Sequence, residues 1–206
     1  VPVLLGLLLM VVVFAFERFF VISKASGTGN LDQFMSKVQA SIVTGDIEGA
    51  IAACDKQKGS VANPIKSALL KYQEVKKEGL DSEAAAETIH KEIEEVTSLE
   101  MPMLEKHMTI LSTLVSLGTL AGLLGTVTGM IKAFSALSAA GSPDSAALAN
   151  GISEALINTA TGIATSALAI VVYNFFTSKI DDLTYSIDEA GNTIVNTYRH
   201  FRSTNK

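Results

Sequence analysis

Two long apolar stretches in the second half of the chain contain no charged side chain. They cover residues 108–131 and 155–178. The hydrocarbon core of a bilayer is about 30 Å thick, so a helix of about 20 residues crosses it. Both stretches are therefore predicted to span a membrane. The polar residues that bound them are His107, Lys132, Glu154 and Lys179.

A third apolar run occupies residues 1–16 and reaches residue 22 if Glu17 and Arg18 lie near its end. The alternative is a cleaved signal peptide. A signal peptide has a basic segment before its apolar core and small residues at a cleavage site after it. No basic segment precedes this run, and Phe19 and Phe20 follow it in place of small residues. We predict a membrane helix.

The residues between the first two spans are predicted to form short helices separated by turns. Their ranges are 31–44, 46–58, 63–77 and from 82 onward. Gly45 and Gly59 are typical helix stops, and Asp81 or Ser82 is expected to begin the last helix. Its apolar spacing continues into the second span, interrupted only by Pro102. Because a helix can pass a proline with a kink, we predict one long helix.

Apolar residues after the third span recur at helical spacing and predict an amphipathic helix that continues the span. We expect it to run antiparallel to the long helix before the second span. The predicted fold is an all-α membrane protein with three transmembrane helices, the second and third of them extended into a cytoplasmic helical bundle. The residues with this spacing are Ile180, Leu183, Ile187, Ile194, Tyr198 and Phe201.

Positive charge predicts the orientation, because Lys and Arg near the ends of spans remain on the inner side. The cations Arg18, Lys24, Lys106 and Lys179 flank the predicted inner ends, whereas residues 133–151 contain no Lys or Arg. The N-terminus is therefore expected to be periplasmic and the C-terminus cytoplasmic. The predicted segments are a first span (1–22), a cytoplasmic helical region (23–106), a second span (107–132), a short periplasmic connection (133–152), a third span (153–178) and a cytoplasmic C-terminal helix (179–206).

Composition argues against several classes of function. The 206-residue chain has a net charge of -5 and no basic run with interleaved aromatic residues, which disfavours nucleic-acid binding. Its one cysteine, Cys54, has apolar neighbours and is expected to be a small buried residue. His90 and His107 are expected at the surface or in helix packing, and the acids Glu94, Glu95 and Glu100 on a solvated helix face. No catalytic, metal or cofactor motif occurs, so we predict no enzyme.

Four glycines in the second span follow one another at intervals of four, three and four residues and share one helix face. They predict close packing against another helix. Hydroxyl residues lie beside them at intervals of seven. The glycines are Gly118, Gly122, Gly125 and Gly129, and the hydroxyl residues are Ser112, Thr119 and Thr126.

The third span is also rich in polar side chains, with Asn158, Thr159 and Thr161 near its outer end and Glu154 at its border. Two interpretations of the hydroxyls remain open. Ser and Thr in membrane helices often bond their own backbone or a neighbouring helix, but they can also line a polar route. Glu154 has two interpretations too: an ion-route residue, or a solvated or helix-capping carboxylate at the interface.

Both later spans resemble long motifs of the ExbB/TolQ/MotA proton-channel family. Residues 120–130 read LAGLLGTVTGM and resemble the family's LGLLGTVxGM segment. Residues 151–174 resemble its GIxEALxxTAxGLxxAIxAxxxYN segment, matching at Glu154, Thr159 and Tyr173 among others. Glu17 and Arg18 after the first span also look like a family motif. The likeness covers nearly the whole chain and is greatest to the ExbB branch.

The resemblance implies a stator subunit of the bacterial inner membrane that couples the proton motive force to mechanical work. It implies a pentamer around single-span helices of an ExbD-like partner, which carries the titrating Asp and acts with a TonB-like protein. It assigns the proton pathway to Thr126, Thr159 and Glu154. Ser112, Thr119, Asn158 and Thr161 are further pore-lining candidates.

Two departures and three alternatives accompany the resemblance. Many relatives have Pro where this chain has Thr119, which puts a family kink in doubt, and Lys132 follows the second motif. A TolQ-like role in envelope maintenance is one alternative. A non-conducting membrane scaffold is another, in which glycines and hydroxyls serve only packing. An enzyme is the third and the least supported.

Overall fold

The computed structural model of the chain describes residues 2–139 and 145–204, and these residues form helices and turns without a strand. The all-α prediction is therefore confirmed. The helices are α1 (Pro2–Ala25), α2 (Leu31–Val43), α3 (Ile47–Gln57), α4 (Ala62–Glu78), α5 (Ser82–Glu105), α6 (Met108–Ala139) and α7 (Ser145–Thr204).

Three helical regions of the described chain are long and apolar enough to cross a membrane. They lie within Pro2–Ala25, Ser82–Ser138 and Ala146–Phe201, with mean hydropathy of 2.4, 1.8 and 1.8 in their most apolar windows. The chain divides into two compact units. We call residues 1–18 and 107–177 the span unit, and residues 19–106 and 178–206 the helical extension.

Three helices of the extension, α2, α3 and α5, begin at side-chain caps, whereas α4 begins after Val61 without a side-chain cap hydrogen bond. The Asn30 side chain accepts hydrogen bonds from the N–H groups of residues 32 and 33, and Asp46 accepts one from Gly49. Asp81 caps α5 by accepting from the N–H of Glu83. Each cap satisfies a backbone donor that the first helical turn leaves free. Gly45 and Gly59 lie in turns with φ of 80° and 89°. Glycine adopts this left-handed conformation without steric cost.

Within the extension, α5 packs antiparallel to the C-terminal part of α7. The hydroxyl of Thr184 donates to Met101 Sδ at 3.4 Å, and the exposed pair Arg199 and Glu83 is joined at 2.6 Å near the other end of α5. The apolar residues predicted on this face of α7, from Ile180 to Tyr198, are buried. The predicted antiparallel arrangement is confirmed. Cys54 is buried as expected, and His90 is exposed beside Glu94.

The prediction of one continuous helix from Ser82 into the second span is wrong. Helix α5 passes through Pro102 and ends at Glu105, and α6 begins at Met108. The break is at His107, whose φ is 65°, a left-handed conformation that is uncommon outside glycine. Pro102 is therefore tolerated inside α5. The interruption is at Lys106 and His107, which carry no turn signal.

The predicted connection over residues 133–152 is helical in most of its length. Helix α6 continues to Ala139 and α7 begins at Ser145, eight residues before the predicted start of the third span. Only residues 140–144 of the connection lie outside the described part of the chain. The predicted boundaries lie beside Lys132 and Glu154, because charges mark the limits of an apolar core. Charges do not end a helix, and the alanine-rich residues beside them favour one.

Candidate functional site

Helices α6 and α7 approach each other closely along the four glycines of α6. A Cβ atom built on Gly122 would lie 3.0 Å from the Cα of Gly162, and one built on Gly129 would lie 3.0 Å from the Cβ of Ala155. Gly162 is equally confined, since its Cβ would lie 2.6 Å from the backbone oxygen of Gly118. The close helix contact predicted from the glycine spacing is present, and it joins two spans of the same chain.

The hydroxyls of Thr126 and Thr159 form a hydrogen bond across this contact. Thr126 Oγ1 also lies 3.1 Å from the backbone oxygen of Gly122, which can only accept. A hydroxyl has one proton to donate. Thr159 Oγ1 lies 3.5 Å from the same oxygen, so either hydroxyl can donate to Gly122 while the other donates within the pair. In both arrangements a hydroxyl oxygen keeps a lone pair that can accept a hydrogen bond from water or from a partner side chain.

A second pair of hydroxyls lies one heptad away on the same helix faces. Thr119 Oγ1 donates to Ser166 Oγ at 2.9 Å. Thr119 precedes Thr126 by seven residues, and Ser166 follows Thr159 by seven, as expected for antiparallel helices in fixed register. Ser166 is buried, whereas the Thr119 side chain is exposed.

The remaining pore-lining candidates are in different settings. Thr161 donates to the backbone oxygen of Ile157 at 2.8 Å, the self-bonded arrangement common in membrane helices. Asn158 is buried beside Gly125, whose added Cβ would lie 2.7 Å from the Asn158 Cβ. Ser112 is exposed on α6. The described residues therefore join Thr126 to Thr159 and Thr119 to Ser166, but they do not gather all seven candidates.

Glu154 is exposed and lies nine residues after the first residue of α7. A carboxylate acts as a helix cap only at the first turn. The capping interpretation of Glu154 is therefore wrong, because α7 begins earlier than the apolar stretch that predicted the span. Glu154 precedes Thr159 by five residues, which is about 7.5 Å along the helix axis.

A polar cluster that the sequence pattern does not predict lies where α1 meets the start of α6. Glu17 Oε2 lies 3.0 Å from His107 Nδ1 and also accepts from Arg18 Nε at 2.9 Å. Arg18 is 1% exposed, and the ring of Phe14 lies 5.2 Å from that of His107. The available signal was a Glu-Arg pair at the end of one span and a histidine at the start of another. Only the helix packing shows that they meet.

A surface groove on α6 runs beside the first hydroxyl pair. It is lined by Thr126, by Ser135 and by apolar residues from Leu123 to Phe134. Within the described residues, no three His, Cys, Asp or Glu side chains gather as a metal site would require.

Residues 57–189 match the MotA/TolQ/ExbB proton channel family. The chain is 30% identical to a putative biopolymer transport protein ExbB-like 3 from Synechocystis over 69% of this chain and 70% of that protein. It is 33% identical to the Tol-Pal system protein TolQ of Pseudomonas aeruginosa over 51% of this chain and 46% of the relative. It is 34% identical to the biopolymer transport protein ExbB of Xanthomonas campestris over 49% of this chain and 40% of the relative. The chain thus spans about half or less of the latter two relatives.

Proposed function

Because this chain belongs to the MotA/TolQ/ExbB proton channel family, we propose that it is a stator subunit that converts the proton motive force into mechanical work. In this proposal it acts on TonB-type partners and energises transport across the outer membrane. It lies in the bacterial inner membrane with a periplasmic N-terminus and a cytoplasmic C-terminus. Five copies surround the single-span helices of an ExbD-like subunit.

The observation that supports the proposal most directly is the hydroxyl pair of Thr126 and Thr159 between two apolar helices. A hydroxyl can hold water or a partner carboxyl by hydrogen bonds without carrying a fixed charge. A fixed charge at membrane depth would be costly. The pair suits a proton that passes on a partner's titrating Asp, with Glu154 toward the outer end of the route.

Removal of either hydroxyl tests this proposal. We expect Thr159→Val and Thr126→Val to abolish iron-siderophore uptake and proton flux while leaving membrane insertion and partner binding intact. Thr128→Val is the matched control, since this exposed hydroxyl lies outside the candidate set and donates to Leu124 O at 3.0 Å within its own helix. Unchanged uptake and flux in the Thr159 and Thr126 variants would show that the assigned route is wrong. Parallel loss of assembly and uptake would favour the scaffold alternative.

The similarity to TolQ proteins favours one second candidate, a role in envelope maintenance. The two candidates share the route and differ in the partner that is moved. Deletion of the chain distinguishes them by phenotype. Lost siderophore uptake with an intact envelope supports the ExbB-like role, whereas detergent sensitivity with normal uptake supports the TolQ-like role.

A further inference from the structure

The hydroxyl pair of Thr119 and Ser166 lies at the middle of both charge-free stretches. Thr119 is the twelfth of the 24 residues from 108 to 131, and Ser166 is the twelfth of the 24 residues from 155 to 178. A polar group at this depth is farthest from bulk water on either side of a bilayer. The pair of Thr126 and Thr159 is seven residues nearer to the connection between the two helices.

We propose that Thr119 and Ser166 form a second hydroxyl site of the proton route, one that positions water at the centre of the membrane. This inference rests on the proposed function and deepens it. The two pairs are separated by seven residues, or about 10.5 Å along the helix axes. Water molecules bridge such a gap when polar groups anchor them at both ends.

The Thr119 side chain stays accessible beside its contact with Ser166. Its side chain is exposed in the single chain, on the α6 face that also carries Thr126. Its hydroxyl already donates to Ser166 at 2.9 Å, so its lone pairs are available to accept from water.

The surroundings of Ser166 explain why the pair is held in place. The added Cβ of Gly118 would lie 2.6 Å from Ser166 Oγ, so the absence of a side chain at Gly118 makes room for this hydroxyl. Ser166 is 8% exposed, and Thr165 beside it is fully buried with its hydroxyl bonded to Thr161 O at 2.9 Å. Thr165 is therefore occupied within its own helix, and Ser166 is the hydroxyl that meets α6.

Proton flux in membranes that contain the chain with its native partner subunits tests the proposal. We expect Thr119→Val and Ser166→Ala each to lower flux about tenfold, the effect of one lost hydrogen bond, with normal assembly. The double variant should lose little more than either single variant, because both remove the same bond. Thr119→Ser keeps the hydroxyl and should restore flux.

Thr113→Val is the matched control, since its exposed hydroxyl is bonded to Thr109 O at 2.8 Å on the same helix. If Thr159→Val abolishes flux while Thr119→Val and Ser166→Ala leave it unchanged, the proposed function stands and the second site is refuted. If Thr119→Ser fails to restore flux, or if flux falls only in proportion to assembly, the pair serves packing and the inference is also refuted. Unchanged flux in Thr159→Val would refute the proton route assigned under the proposed function.

Discussion

His107 Nδ1 lies 3.0 Å from Glu17 Oε2, so the end of the apolar run of α1 is tied to the residue that precedes α6. The Glu17 carboxylate contacts both His107 and Arg18, because it also accepts hydrogen bonds from Arg18 Nε at 2.9 Å and from Arg18 Nη2 at 2.6 Å. His107 adopts its left-handed backbone at this point. The contact thus accompanies the break between α5 and α6.

Replacement of Glu17 by alanine is expected to destabilise the folded chain by about 1 to 3 kcal/mol, because the buried Arg18 loses a charged acceptor. Thermal unfolding of the purified protein in detergent measures the change. Glu105→Ala removes an exposed carboxylate two residues before His107 and serves as the control, with an expected change below about 0.5 kcal/mol. Equal stability of the two variants would contradict a structural role for the Glu17 contacts.

Gly162→Ala is expected to separate α6 from α7. The new methyl group would lie 2.6 Å from Gly118 O and 2.7 Å from the Cα of Gly122, and backbone atoms cannot yield as a flexible side chain can. Overpacking of this kind costs about 1 to 3 kcal/mol. Gly6→Ala in α1 is the control, since nothing lies within 4 Å of its added Cβ. Crosslinking between cysteines placed on α6 and α7 should weaken in the Gly162 variant alone.

The short helices of the extension could be predicted from sequence because their signals are local. Asp46 and Asp81 are caps, and Gly45 and Gly59 are stops, so these boundaries are encoded within a few residues, whereas α4 begins after Val61 without a side-chain cap. The break at His107 could not be predicted, since its left-handed backbone accompanies contacts with side chains 90 or more residues away in sequence.

The candidate site could be predicted only in part. The motif resemblance selected Thr126 and Thr159, and helical spacing placed Thr119 on the same face as Thr126. The partner of Thr119 depends on the register between α6 and α7, which neither helix encodes alone. Ser166 was therefore only one of several hydroxyl residues in the third span until the packing assigned it a contact.

Cys54 is expected to resist alkylation at neutral pH. Burial, with a smaller contribution from the Asp55 charge, raises the pKa of its thiol from 9.0 to about 12. The reactive thiolate is therefore scarce in the folded chain. Maleimide labelling at about pH 8 should be slow in the native protein and fast after denaturation. Fast labelling of native protein would show that the thiol is accessible.

The same pKa shift predicts a loss of stability in alkali. A thiol whose pKa is higher in the folded state stabilises that state fully below about pH 9, and this contribution is lost as pH rises toward about 12. Burial also raises the pKa of Tyr72, which acts in the same direction. The midpoint temperature of thermal unfolding should decrease as the pH is raised from about 8 to about 10.5. This decrease should be smaller in Cys54→Ala than in the parent protein. An equal decrease in the two proteins would contradict the assignment of the effect to the Cys54 thiol.

Gln57 joins the end of α3 to the turn after α1, and a charge at this position should be poorly tolerated. Its Nε2 donates to Ser26 O at 2.6 Å and lies 3.3 Å from Gly29 O, and the side chain is 6% exposed. Gln57→Ala removes these bonds and should cost about 1 to 3 kcal/mol. Gln57→Glu should cost more, because a buried carboxylate would face carbonyl oxygens that cannot donate to it.

Gln33→Glu is the matched control for the charge itself. Gln33 is exposed in the first turn of α2, where a carboxylate interacts favourably with the helix dipole. We therefore expect this variant to unfold at the same temperature as the parent protein or slightly above it, and Gln57→Glu to unfold at the lowest temperature of the set. A Gln57→Glu variant as stable as Gln57→Ala would show that the turn rearranges to admit water, and that the contacts of Gln57 do not hold the turn against α3.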